Sequence, residues 1–141
     1  MDFEFTKEQM DIQRAAREFA EAEFEKNIVL ELDRNHQFPW EIWKKAIQLG
    51  FVGLDIPEEY GGQGYGLLER VLVTEQFCRY GASVGTSVLG TYFGSKIILK
   101  RGSEDQRKKY LPPLFKGEAI SAGAFTEPDR GSDLVSGPLS T

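Results

Sequence analysis

The stretch Thr6-Lys7-Glu8-Gln9-Met10-Asp11-Ile12-Gln13-Arg14-Ala15-Ala16-Arg17-Glu18-Phe19-Ala20-Glu21-Ala22-Glu23-Phe24 sets the period of this chain. Thr6 to Gln9 has the form of a capping box, in which the hydroxyl accepts an orphan N–H and the Gln side chain returns the bond. After it, Ile12, Ala15, Ala16, Phe19, Ala20 and Phe24 recur at helical spacing with charges between them. That spacing predicts an amphipathic helix with one stripe turned to a core.

Outward from this helix the same period returns. Asp33 to Phe38 is a polar connection, and Pro39 suits the first turn of a second helix with Trp40, Trp43, Ala46 and Ile47 on one side. Gly50 is placed to cap its C-terminus. Pro57 and the run Tyr60-Gly61-Gly62-Gln63-Gly64-Tyr65-Gly66 then exclude regular helix, which leaves a loop of definite shape or real mobility. Helical spacing resumes through Leu68, Val71, Leu72, Glu75 and Cys78 to about Gly81. Another apolar helix is expected through Val84, Val88, Leu89, Tyr92, Phe93, Ile97 and Ile98, stopping at Gly102. Ser103-Glu104-Asp105-Gln106 forms a second capping box, opening a short charged helix that Pro112 and Pro113 are expected to end. The fold expected up to roughly Gly117 is therefore all-α, with about five or six helices.

Beyond Gly117 the period shifts. Ala119 to Thr126 is small-residued and extended in character, like an edge of a sheet. One strand builds no sheet, so this tail is expected either to pair with something absent from the chain or to be loose.

Composition narrows the function classes. The 141 residues are 40% hydrophobic and 28% charged with a net charge of −5, as in an ordinary globular domain. Interleaved charges without a basic cluster disfavour nucleic acid. They leave room for an anionic cofactor held by backbone N–H groups and hydroxyls. The single cysteine, Cys78, excludes an internal disulfide and multi-cysteine metal sites. No secretory signal and no bilayer-length apolar run is visible, so a cytoplasmic location and no membrane association are expected.

Few residues carry chemistry on their own. The Gly61–Gly66 run lacks the Lys-Ser/Thr of a phosphate loop and the preceding strand of a dinucleotide fingerprint, so it reads as a shaped surface or interface loop. His36 stands in a polar connection with no ligand-spaced neighbours, and Cys78 reads as a buried, inert thiol. No metal site and no acid/base pair of carboxylates is assigned. The segment Gly123 to Asp133 differs. It joins small residues, a Thr after an aromatic, a rigid Glu-Pro step and a Gly-Ser-Asp, which suits a grip on a polar ring edge and a phosphate. A turn with a cap would use the same residue types, and the two readings weigh about evenly.

The segment Ala124-Phe125-Thr126-Glu127-Pro128-Asp129-Arg130-Gly131-Ser132-Asp133 resembles the Thr-Glu-Pro-x-x-Gly-Ser-Asp signature of acyl-CoA dehydrogenases. The Thr6–Gln9 helix with Phe19-Ala20, the Phe38-Pro39 to Phe51 stretch, Ile56-Pro57-Glu58-Glu59-Tyr60-Gly61-Gly62, and Glu104 to Pro113 with Gly117-Glu118 resemble that family in the same order. The resemblance covers nearly the whole chain. It departs at Asp129 and Arg130, where small residues are common in the family.

The resemblance implies an FAD-dependent enzyme that removes a Cα proton from an acyl-CoA thioester and passes a Cβ hydride to flavin N5. It implies electron-transfer flavoprotein as electron acceptor and a homo-oligomer, usually a tetramer. In the family a small β-domain and a carboxy-terminal bundle follow the helical domain, and the base belongs to that bundle. Residues 1–118 are then the helical domain, an orthogonal all-α bundle of about five or six helices, residues 119–141 are the start of an incomplete β-domain, and no catalytic residue falls in this chain. Carried over by position, the cofactor stretch is Gly123, Ala124, Phe125, Thr126, Glu127, Pro128, Gly131 and Ser132. Phe125 would pack by the isoalloxazine, and Thr126 would address its N5 edge. Ser132 would meet the cofactor pyrophosphate or the CoA side of the substrate, and the helix expected to hold Leu89 and Phe93 resembles the one lining the acyl pocket. A core role explains Leu89 and Phe93 equally well. The rival readings are a flavin oxidase relative (acyl-CoA or nitroalkane oxidase) and a non-catalytic helical binding module on the same scaffold.

Overall fold

The Thr6 hydroxyl accepts the Gln9 N–H at 3.2 Å while Gln9 Oε1 accepts the Thr6 N–H at 3.0 Å, so the first capping box is formed. It starts α1 (Lys7–Glu23) in the computed structural model, which describes residues 4–128 and 131–133. Five further α-helices follow: α2 (Lys26–Arg34), α3 (Trp40–Gln48), α4 (Leu67–Leu89), α5 (Ser95–Arg101) and α6 (Glu104–Phe115). A one-turn 3₁₀ helix, Glu58–Tyr60, lies between α3 and α4. The described residues contain no β-strand, and the all-α expectation holds.

The core forms where α1 lies along α4. Phe77 of α4 is fully buried among Phe19, Phe24 and Phe51, with ring centroids 5.3, 5.2 and 5.4 Å away. Aromatic rings packed edge-on and offset add attraction beyond the area that they bury. Polar clips flank this seam: Gln9 Nε2 donates to Glu69 Oε1 at 2.8 Å, the Tyr65 hydroxyl to Glu8, and the Tyr80 hydroxyl to Glu21. The second capping box, Ser103 with Gln106, opens α6 as expected.

The loop from Phe51 to Gly66 has a definite shape. The N–H groups of Gln63, Gly64 and Tyr65 donate to the carbonyls of Gly53, Ile56 and Leu54, folding the loop back on itself. Gly62 is required by this fold, because a Cβ there would lie 2.2 Å from the Ile56 carbonyl oxygen. Gly50, with φ +77°, ends α3 in the left-handed conformation expected of a C-terminal cap.

Helix α2 falls where the sequence offered no assignment, and three local expectations need correction. α1 ends at Glu23 without Gly or Pro to mark it; Phe24 turns out of helical geometry (φ −100°, ψ 49°) and is buried in the core. Trp40 is 51% exposed, and Ile42, Trp43 and Ala46 form the inner face of α3. The helix expected from Val84 to Ile98 is two pieces. α4 kinks at Gly81 and ends at Leu89, and Gly90 to Gly94 turn the chain into α5, so Tyr92 and Phe93 leave the helix. Finally, Pro112 and Pro113 lie inside α6 instead of ending it. The carbonyls deprived of a donor belong to Lys108 and Lys109, both exposed residues, while Leu111, Leu114 and Phe115 gain burial by continuing the helix.

Candidate functional site

The α4–α5 turn holds the segment that follows α6. Thr91 is buried; its hydroxyl donates to the Val88 carbonyl at 2.9 Å and accepts Trp43 Nε1–H at 3.0 Å. The turn is thus pinned to α3. The Thr91 carbonyl then accepts the Ser121 N–H at 2.8 Å, and Ser121 Oγ accepts the Gly94 N–H at 3.2 Å. Tyr92 and Ser121 form an isolated parallel bridge. The expectation that this tail finds no partner within the chain is thus corrected at Ser121, while the rest of the run over 119–126 is irregular backbone.

From the anchor, Phe125 swings back onto Phe93. Their rings meet edge-to-face at 5.7 Å, with Phe93 59% and Phe125 44% exposed. Phe125 lies over Gly123, where an added Cβ would come within 2.3 Å of the ring. Ala124, Thr126 and Pro128 are exposed and Glu127 is half-buried. Among the described residues, the N–H groups of 122–126 take no backbone partner. Gly123, Phe125 and Phe93 are therefore brought together, with Thr126 exposed next along the chain. Leu89 is not with them, being 7% exposed and part of the core at the end of α4. Gly131 and Ser132 are exposed, while Asp129 and Arg130 lie outside the described residues.

Sequence reasoning missed the residues that hold this face: Thr91, Ser121 and Trp43. Ser121 carried a weak signal as the first hydroxyl of the small-residue run. Beside the turn, burial pushes the Tyr92 phenol up to about 12; the Asp55 charge adds to the rise and Arg70 opposes it. Tyr92 therefore stays neutral at ordinary pH. Cys78, expected to be buried, is half-buried, and desolvation raises its thiol, which lowers the fraction present as thiolate. Among the described residues, no group of three or more His, Cys, Asp or Glu is placed to hold a metal ion. No described helix is long and apolar enough to cross a membrane.

A flat heteroaromatic group with a hydrogen-bonding edge fits what is exposed here: two aromatic rings, unengaged N–H groups and a hydroxyl. This arrangement can stack a ring and donate to its rim. The acyl-CoA dehydrogenase N-terminal domain family matches residues 6–118. The chain belongs to that family. Acryloyl-CoA reductase (NADH) of Anaerotignum propionicum is 42% identical over 134 residues, covering 94% of this chain and 34% of that protein. The glutaryl-coenzyme A dehydrogenase–glutaryl-CoA complex superposes with a TM-score of 0.86 at 36% identity, over 95% of this chain and 35% of the other. An acyl-CoA dehydrogenase complexed with FAD from Bacillus anthracis gives a TM-score of 0.81, also at 36% identity, covering 95% and 23% of the two chains. The chain thus spans about a third of the length of the curated relatives that it matches. In this acyl-CoA dehydrogenase N-terminal domain, Phe93 lies within the matched residues and Phe125 just beyond them.

Proposed function

We propose that this chain supplies the amino-terminal helical domain and one wall of the flavin site of an FAD-dependent acyl-CoA dehydrogenase. The observation carrying this reading is the Ser121-anchored segment, which leaves Phe125 and Thr126 exposed beside Phe93 on a scaffold of this family. When bound, FAD would accept hydride from the β-carbon of an acyl-CoA thioester. Phe93 and Phe125 would wall the ring, the Thr126 hydroxyl and the free N–H groups of 122–126 would donate to its edge, and Ser132 would meet phosphate. Donors at the edge stabilise charge on the reduced ring, which tunes the cofactor. Leu89 would act on the acyl pocket from behind, through the end of α4. Residues 119–141 belong, in this reading, to the start of a β-domain. Electron-transfer flavoprotein would take the electrons, and the working form would be a cytoplasmic homo-oligomer.

A second reading concerns direction. A relative named as an acryloyl-CoA reductase supports reduction of a short unsaturated acyl-CoA on the same scaffold.

The test is to purify the protein in the longest form that its gene encodes and look for co-purifying flavin. Bleaching by saturated acyl-CoA, with electrons passed to electron-transfer flavoprotein, supports the dehydrogenase. Flavin reoxidised through an unsaturated acyl-CoA supports the reductase, and rapid reoxidation by O2 the oxidase. Absence of flavin from every form would overturn all three and leave a helical binding module. Since the family's base lies in a carboxy-terminal bundle, residues 1–141 alone are expected to show no turnover.

A further inference from the structure

A charge cluster beside the α4–α5 turn takes no part in that reading. Asp55, in the loop after α3, has a side chain only 4% exposed. Lys96 of α5 places Nζ 2.7 Å from Asp55 Oδ2 and donates to the Asp55 carbonyl at 3.0 Å. Arg70 of α4 places Nη1 3.3 Å from the same Oδ2. Oδ1 is buried and has no hydrogen-bond partner among the described residues, so two cations from two helices converge on one oxygen. Buried ion pairs are costly to desolvate, and one with an unsatisfied oxygen is a poor stabiliser. What such a pair does well is fix relative position. The Arg70 guanidinium carbon also lies 5.3 Å from the centre of the Tyr92 ring, a cation–π distance.

The turn Gly90–Gly94 is thereby held from two sides. Trp43 fixes Thr91 from α3. Asp55 gathers Lys96, just past the turn, and Arg70, which leans on Tyr92. Between these two holds sit the Thr91 carbonyl and the Gly94 N–H that grip Ser121, and Phe93, which meets Phe125.

We propose that Asp55 is a positioning residue for the flavin-facing segment: by drawing Arg70 and Lys96 onto one carboxylate it fixes the turn from which Ser121 hangs. The hold on Ser121 stands on the geometry alone; its consequence for flavin rests on the dehydrogenase reading above.

Amide hydrogen exchange on the 141-residue chain tests the first half. In Asp55→Asn the Ser121 N–H should exchange about tenfold faster than in the parent, after scaling to the amides of α1, because local opening is then no longer opposed by the pair. Lys96→Met keeps Asp55 with Arg70 and should give a smaller rise in the same direction; it carries the test if Asp55→Asn does not fold. The double variant Asp55→Asn/Lys96→Met should exchange at least as fast as Asp55→Asn, because the Lys96 bond to the residue 55 carbonyl is then lost as well. Unchanged Ser121 exchange, a rise shared equally by the α1 amides, or slower exchange in the double variant than in Asp55→Asn would each overturn the proposal. The second half is read in the flavin-loaded protein, in the longest form that the gene encodes. There Asp55→Asn should weaken FAD binding about tenfold and shift the flavin potential, as expected when a supporting shell is loosened. Faster Ser121 exchange with unaltered flavin properties would overturn the flavin consequence and point to an error in the flavin reading, while Asp55's hold on Ser121 survived.

Discussion

Around Phe77, aromatic rings from α1, the 51–66 loop and α4 exclude water completely; at Phe125 a single aromatic partner, Phe93, leaves both rings largely exposed. The residue type is the same and the surroundings are opposite. In the first region the backbone is satisfied within helices, so side chains can close over one another. In the second, the N–H groups of 122–126 make no backbone hydrogen bond among the described residues, and no described element covers them. A body that closes on itself carries an edge that does not. That difference separates the part of the chain that folds the domain from the part that can meet a ligand.

The comparison breaks first at Phe77. Phe77→Ala should cost about 3–5 kcal/mol, the range for deleting a buried aromatic and leaving a cavity, measured by urea unfolding. A loss near that for an exposed side chain would mean that the four-ring cluster is not the seat of stability. Trp43→Phe keeps the buried bulk but removes the donor to Thr91, and should cost about 1–2 kcal/mol by leaving a buried acceptor short of a partner. Because Thr91 also carries Ser121, the same variant should speed Ser121 amide exchange more than that of α1; equal changes would dissolve the link between body and edge.

A smaller effect follows from Glu69. The Gln9 side-chain bond, reinforced by backbone N–H groups at the start of α4, holds its carboxyl below the ordinary 4.5. A depressed folded value means that this clip is fully present above the unfolded value and is lost as pH falls through the folded one. Glu69→Gln should therefore flatten the acid limb of stability below about pH 4.5 and leave the neutral region less affected. An unchanged acid limb would remove Glu69 from the α1–α4 seam. The smallest stability effect belongs to Phe125→Ala. It should change unfolding free energy by less than about 0.5 kcal/mol, as for exposed side chains away from structural features. Flavin affinity of the flavin-loaded form should nevertheless fall. A large stability loss with unaltered flavin binding would make Phe125 core and would erase the contrast.

Much of the body was legible beforehand because its signals are local. Thr6 with Gln9 and Ser103 with Gln106 are three residues apart, and Gly50 ends its helix through its own backbone freedom. What was unread or misread lies where distant packing decides. The break before α2 has no breaker in the sequence; Phe24 leaves helical geometry there and is buried against Phe19 and Phe77. Phe93 continues an apolar helical spacing on paper, yet the Gly90–Gly94 turn takes it out of the helix and sets it against Phe125. Pro112 and Pro113 look like a stop, but burial of Leu114 and Phe115 outweighs the lost donors. At the candidate site the residue types were legible from the signature-like run. Their support was not, because Thr91 and Ser121 are thirty residues apart and Asp55 and Lys96 forty-one.

By itself, then, the sequence determined the helical class, the capped helix starts and the position of a non-helical segment after Gly117. Those follow from period, capping chemistry and backbone freedom, which act over a few residues. Only the tertiary structure decided that Leu89 turns inward while Phe93 turns out, and that Ser121 hangs from a turn fixed by Trp43 and flanked by Asp55. Those depend on which surfaces meet after the helices pack, and a charge, a donor and an apolar ring gain their partners only then.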